Sequence, residues 1–243
     1  MRTGLRLAAA LALAAPLAGC DGSVFMSPEE RLDEEIAADP ALAQLYSTLE
    51  EEFPEDYSAL RQTLLDSLET DRSGQSGYYG AQSFMLQFMS RNLHHFAASP
   101  QEHLFEVREH SIRAMEMVAS EGQGMCARYT MSGLAHDDVL SSRTEMQLSR
   151  LTVAQVRAMA AGRDHPVKRG EATEADWDAY ARKLQENGMT AEEVDAFFYG
   201  GAGLLGLSEA AQCRLGRAIY NALADLPDDV SERLSAVILL PAA

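Results

Sequence analysis

The chain has 243 residues, 37 acidic against 20 basic side chains, and a formal net charge of −17 at pH 7. With 47% apolar residues the composition is that of a globular protein, which excludes wholesale disorder. The charge argues against a nucleic-acid partner, because phosphate binding needs a basic face and the densest basic stretch, His165 to Arg169, is short.

The first segment reads as a processing signal. Arg2 and Arg6 precede an apolar run from Leu7 to Leu17. That run is too short to cross a hydrocarbon core, which needs about 20 residues, and it suits a signal-peptide h-region. It ends in Leu17-Ala18-Gly19-Cys20. These four residues, in this order after an n-region and an h-region, resemble the lipobox of bacterial lipoproteins.

The resemblance covers the first 20 or so residues and implies cleavage before Cys20, a diacylglyceryl group on its sulfur and an acyl chain on its new amino group. Two or three chains anchor a protein stably where one does not. The expected location is the cell envelope, lipid-anchored and facing the periplasm. Asp21 resembles the inner-membrane retention signal of enteric bacteria and favours that membrane. Residues 1–19 would then be a cleaved leader and 20–27 a lipidated tether. Removing the leader also removes two arginines, so the mature chain is still more acidic.

Helical signals follow one another from there. Ser27-Pro28-Glu29-Glu30 places a capping serine, a proline in the first turn and a glutamate at the third position. Asp39-Pro40 and Ser99-Pro100-Gln101-Glu102 read the same way, and Thr173 with Asp176 and Thr190 with Glu193 are further capping boxes. The pattern predicts helices near 28–37, 40–52, 55–70, 78–97, 100–120, 145–161, 173–187, 190–199, 208–225 and 228–238, with 122–143 left open. The expected fold is all-α, a bundle-like arrangement of roughly nine to ten helices with no significant sheet.

Within it, Leu104, Ile112, Met115 and Val118 share one side of a helix whose other side carries Glu106, Glu109, Arg113 and Glu116. Residues 78–97 carry Phe and Met around more than half the circumference, which predicts a buried, central helix. Leu215, Ile219, Leu223 and Leu226 form a further stripe. The loop at 162–172 is the natural boundary between an N-terminal helical region, 28–161, and a C-terminal one, 173–243, packed on it, unless the whole is one domain.

With Cys20 committed to lipid, Cys126 and Cys213 remain, and an oxidising periplasm favours their pairing. Two buried free thiols are the alternative. Neither lies in a C-x-x-C motif, so thioredoxin-like chemistry is not indicated.

Two features bear on function. Residues 20–60 hold twelve Asp or Glu against the single Arg31, with Glu50, Glu51 and Glu52 in a row. They form either a solvated helix face or a docking surface for a basic partner. His103, Glu106 and His110 lie on one side of a helix at i, i+3 and i+7 and are candidate metal ligands. No H-E-x-x-H, G-x-S-x-G or S-x-x-K occurs, and Gly201 to Gly206 match G-x-G-x-x-G without a βαβ context.

The favoured reading is a non-enzymatic envelope lipoprotein, bound to the membrane by lipid and to another envelope protein by its helical domain, with no cofactor. The alternative is an envelope enzyme or a small-ligand or metal-binding lipoprotein that uses helix 78–97 and the His103/Glu106/His110 group.

Overall fold

The computed structural model describes residues 26–70, 75–135, 138–200 and 202–240. The leader, Cys20, Asp21, His136 and Gly201 lie outside the described residues. All of the regular structure described is α-helical. The helices are α1 (Pro28–Ala38), α2 (Pro40–Glu52), α3 (Pro54–Thr70), α4 (Gln75–Ala97), α5 (Gln101–Glu121), α6 (Gln123–Ser132), α7 (Ser142–Asp164), α8 (Glu174–Glu186), α9 (Ala191–Tyr199), α10 (Ala202–Leu205), α11 (Glu209–Ala224) and α12 (Asp228–Ile238). Two exceed the expected set: α6 occupies the stretch left open, and α10 is a single turn between α9 and α11.

Local chemistry sets most boundaries. The capping boxes at Ser27/Glu30, Thr173/Asp176 and Thr190/Glu193 all form, each with side chain and backbone exchanging hydrogen bonds. Asp39 accepts from the amides of Ala41 and Leu42 at the start of α2. The Ser99 cap does not form. The helix there begins one residue later, with Pro100 at the cap position and no side-chain cap bond. Ser99 is fully buried instead, its carbonyl accepting from Arg169.

The expected central helix is displaced. In α4, Met85, Phe88, Met89 and Phe96 are buried, but Tyr79 and Leu86 are exposed. The helix packed on most sides is α7, which lies against α2, α4 and α5 and buries an almost unbroken run from Leu151 to Val156. Its buried residues are largely Ala, Thr, Val and Gly, whose small or compact side chains let neighbouring helices approach closely. Gly162 shows the limit: a Cβ there would stand 1.9 Å from the carbonyl oxygen of His95.

α5 joins the two halves of the chain. It packs on α7 on one side and on α6, α11 and α12 on the other. Leu104, Met115 and Val118 are buried and Glu106, Glu109, Arg113 and Glu116 exposed, as the sequence pattern requires. The stripe Leu215, Ile219, Leu223 and Leu226 is buried as well. One hydrophobic core cluster runs from Leu45 to Leu239 and includes residues from both sides of the 162–172 segment. That segment is pinned down: the Val167 amide donates to the Ala98 carbonyl at 2.7 Å, and Arg169 pairs with Glu232 at 3.2 Å and donates to the carbonyls of Ala97 and Ser99.

No described helix is long and apolar enough to cross a membrane.

Candidate functional site

Three places deserve a chemical reading. The first is the acidic corner between α2 and α3. α2 stops at Glu52 because Phe53 leaves helical geometry (φ −138°, ψ 63°) and Pro54 cannot continue the helix. Phe53 turns inward, is 6% exposed, and meets Phe88 edge to face with ring centroids 4.9 Å apart. The Arg163 guanidinium sits 4.7 Å above the Phe53 ring and donates through Nη1 to the Glu52 carbonyl at 2.6 Å.

The corner is therefore clamped from inside, and the acidic side chains are left outside. Glu50 and Glu51 are exposed and make no ion pair among the described residues; Glu52 is half-buried in the field of Arg163. On the flanks, Asp33 pairs with Arg61 at 2.5 Å and Asp56 with Arg91 at 2.7 Å. Exposed carboxylates without an ion pair remain at the corner, at Glu50, Glu51 and Glu55, and on α1, at Glu29 and Glu34.

The second place is the histidine group on α5. His103, Glu106 and His110 do share a side of the helix, but they do not converge on a point. His103 Nδ1 is 3.9 Å from Glu106 Oε2. His110 is drawn away by α7: Gln147 Nε2 lies 3.0 Å from His110 Nδ1 and donates to the His110 carbonyl at 3.2 Å. Burial is the largest influence on His110 and lowers its pKa, which favours the neutral ring. Among the described residues no group of three or more His, Cys, Asp or Glu side chains is gathered to hold a metal ion. Helical spacing places side chains on one face, whereas coordination requires them within about 2 Å of one centre. His94 and His95 stack with centroids 3.8 Å apart and do not join the group.

The third place is a groove beside the expected Cys126–Cys213 disulfide, and no local sequence pattern announces it. Cys126 and Cys213 form a disulfide, with Cα atoms 5.1 Å apart, that ties α6 to α11. Beside it lies an open groove of about 500 Å³. Its floor is a single face of α11, where Ala210, Cys213, Arg214, Arg217, Ala218 and Asn221 recur at helical spacing. Gln123 at the start of α6 forms one wall, and Asn187 at the end of α8 forms another.

The alanines leave room between the longer side chains. Arg214 is held by Glu193 of α9, which also accepts from the Thr190 amide at 2.9 Å. Asn187 Nδ2 donates to the Lys183 carbonyl at 3.0 Å and to Asp225 at 2.9 Å. The α11 spacing was readable as a helix face. Asn187 and Gln123 come from distant parts of the chain, and no local pattern announces them.

Comparison with protein-family models, with curated proteins and with solved structures finds no match.

Proposed function

We propose that the protein is a non-enzymatic envelope lipoprotein, held at the membrane by lipid on Cys20, whose helical domain presents the α2–α3 acidic corner to a basic partner protein. The observation that carries the reading is the pair of exposed, uncompensated carboxylates at Glu50 and Glu51, on a corner clamped by Phe53 and Arg163. Rigid, unpaired charge favours docking, since a partner's lysine or arginine displaces water and not an existing ion pair. The signal segment and lipobox support the location, and the Cys126–Cys213 disulfide agrees with an oxidising compartment.

The tether geometry favours the same surface. Residues 20–27 span at most about 25 Å when extended, so α1 and the corner next to it in sequence work close to the bilayer. An anionic bilayer repels this part of the chain. Lipid supplies the attachment and leaves the acidic corner free for a protein.

Crosslinking in living cells, followed by pull-down, tests the proposal with wild-type protein and with Glu50→Lys, Glu51→Lys and Glu52→Lys combined. The expected result is a defined adduct with a basic envelope protein that is lost on charge reversal. In vitro the complex should weaken as salt is raised and the Debye length falls from about 10 Å at 0.1 M. Identical adducts from both proteins, or none from either, would contradict it.

A further inference from the structure

We infer that the groove along α11 is a binding site for a small organic anion, with Arg217 receiving its carboxylate or phosphate group. The chain carries an acidic excess of 17, yet the groove lining holds two arginines, three side-chain amides and no carboxylate. Of the nearby acids, Glu193 holds Arg214 and Asp225 accepts from Asn187, while Glu209 lies against Gly124 at one end and is not part of the lining.

The donors form a graded set. Arg217 makes no ion pair among the described residues and is exposed, so its guanidinium fork is open to a planar or tetrahedral oxyanion. One turn away, Arg214 is fixed by Glu193 through Nη2, while its Nε is buried with no hydrogen-bond partner. Asn221 and Gln123 spend no side-chain hydrogen bond on the protein among the described residues and are free to read hydroxyl or amide groups next to the anionic head. Asn187 spends its Nδ2 on the Lys183 carbonyl and Asp225, which leaves its Oδ1 to accept from a ligand hydroxyl and not to hold the anionic head.

Size selects the class of ligand. A volume of about 500 Å³ suits a molecule of metabolite size. The disulfide fixes the groove's shape, because Cys213 belongs to its floor and Cys126 lies three residues after Gln123 in the wall. This inference stands apart from the acidic corner, which lies on other helices and attracts the opposite charge.

Titration calorimetry on the purified protein is the test, with citrate and inorganic phosphate as probes and sodium chloride matching the ionic strength. One-site, saturable binding of at least one anion is expected, with a Kd below about 1 mM. Tighter citrate binding would support a carboxylate-bearing ligand, and tighter phosphate binding a phosphate-bearing one. Arg217→Gln should weaken binding at least ten-fold and Arg217→Lys less. Arg157→Gln, which removes an exposed, unpaired arginine of α7, should leave it unchanged. Absence of saturable binding by both anions, or equal weakening by Arg157→Gln, would overturn the assignment.

Discussion

At the scale of single residues, glycine and aspartate positions give the sharpest expectations. Gly216 is where α11 crosses α6: a Cβ there would lie 2.1 Å from Thr130 Oγ1 and 2.6 Å from Met115 Cε. Thr130 is fully buried and donates to the Cys126 carbonyl at 2.9 Å, so it has little room to yield. Gly216→Ala should therefore cost about 1–2 kcal/mol in urea unfolding, after the helix propensity gained by alanine is allowed for. Gly170→Ala, with nothing within 4 Å of its Cβ, should be close to neutral.

Asp176 gives a pH dependence. Arg233 grips it with two hydrogen bonds of 2.9 and 2.8 Å, and the Thr173 amide adds a third at 2.8 Å. The Arg233 bonds, then the Thr173 amide, hold its carboxyl well below the ordinary value of 3.8. A depressed folded-state pKa contributes stability that is complete above 3.8 and is lost as pH falls through the folded value. Asp176→Asn should lower stability at neutral pH and flatten the acid limb of the stability–pH curve below about pH 4. An acid limb of unchanged slope in the variant would contradict this.

At the scale of elements, the disulfide joins α6 to α11 across a sequence separation of 87 residues. Loop-closure entropy sets a ceiling of about 4–5 kcal/mol on what it contributes. The double variant Cys126→Ser, Cys213→Ser should unfold at markedly lower urea concentration, while the wild type under a reductant should approach it.

The helices themselves were legible where their signals are local. Ser27, Asp39, Thr173 and Thr190 act on amides two or three residues away, and each caps as its spacing implies. Ser99 shares the spacing but not the outcome, because the segment around it is taken up by long-range bonds from Arg169 and Val167. The choice of central helix was illegible for a similar reason. Phe and Met content marks α4 as apolar, but the close approach that makes α7 central depends on small residues meeting the right neighbours, such as Gly162 against His95. The histidine group is a similar case: its spacing puts the three side chains on one side of α5, while the contacts of the His110 ring come from Gln147 of α7.

At the scale of the molecule, charge is distributed with a pattern. Arginines from other helices neutralise the flanks of the acidic N-terminal region, as Arg61 does for Asp33 and Arg91 for Asp56. What remains exposed and uncompensated at Glu50 and Glu51 is the surface proposed for a basic partner. The α11 groove shows the opposite sign. Neither location followed from the net charge of −17 alone. The first was visible as a run of glutamates, and the second needed Gln123, Asn187 and Arg217 to be brought together by folding.

The proposed role depends on the anchor, since an acidic domain of this kind has no electrostatic hold on an anionic bilayer. Intact-mass spectrometry of the protein extracted from membranes tests the anchor directly. The expected mass is that of a chain beginning at Cys20 and carrying a diacylglyceryl group and an amide-linked acyl chain. A chain that keeps residues 1–19, or one with an unmodified Cys20, would contradict it.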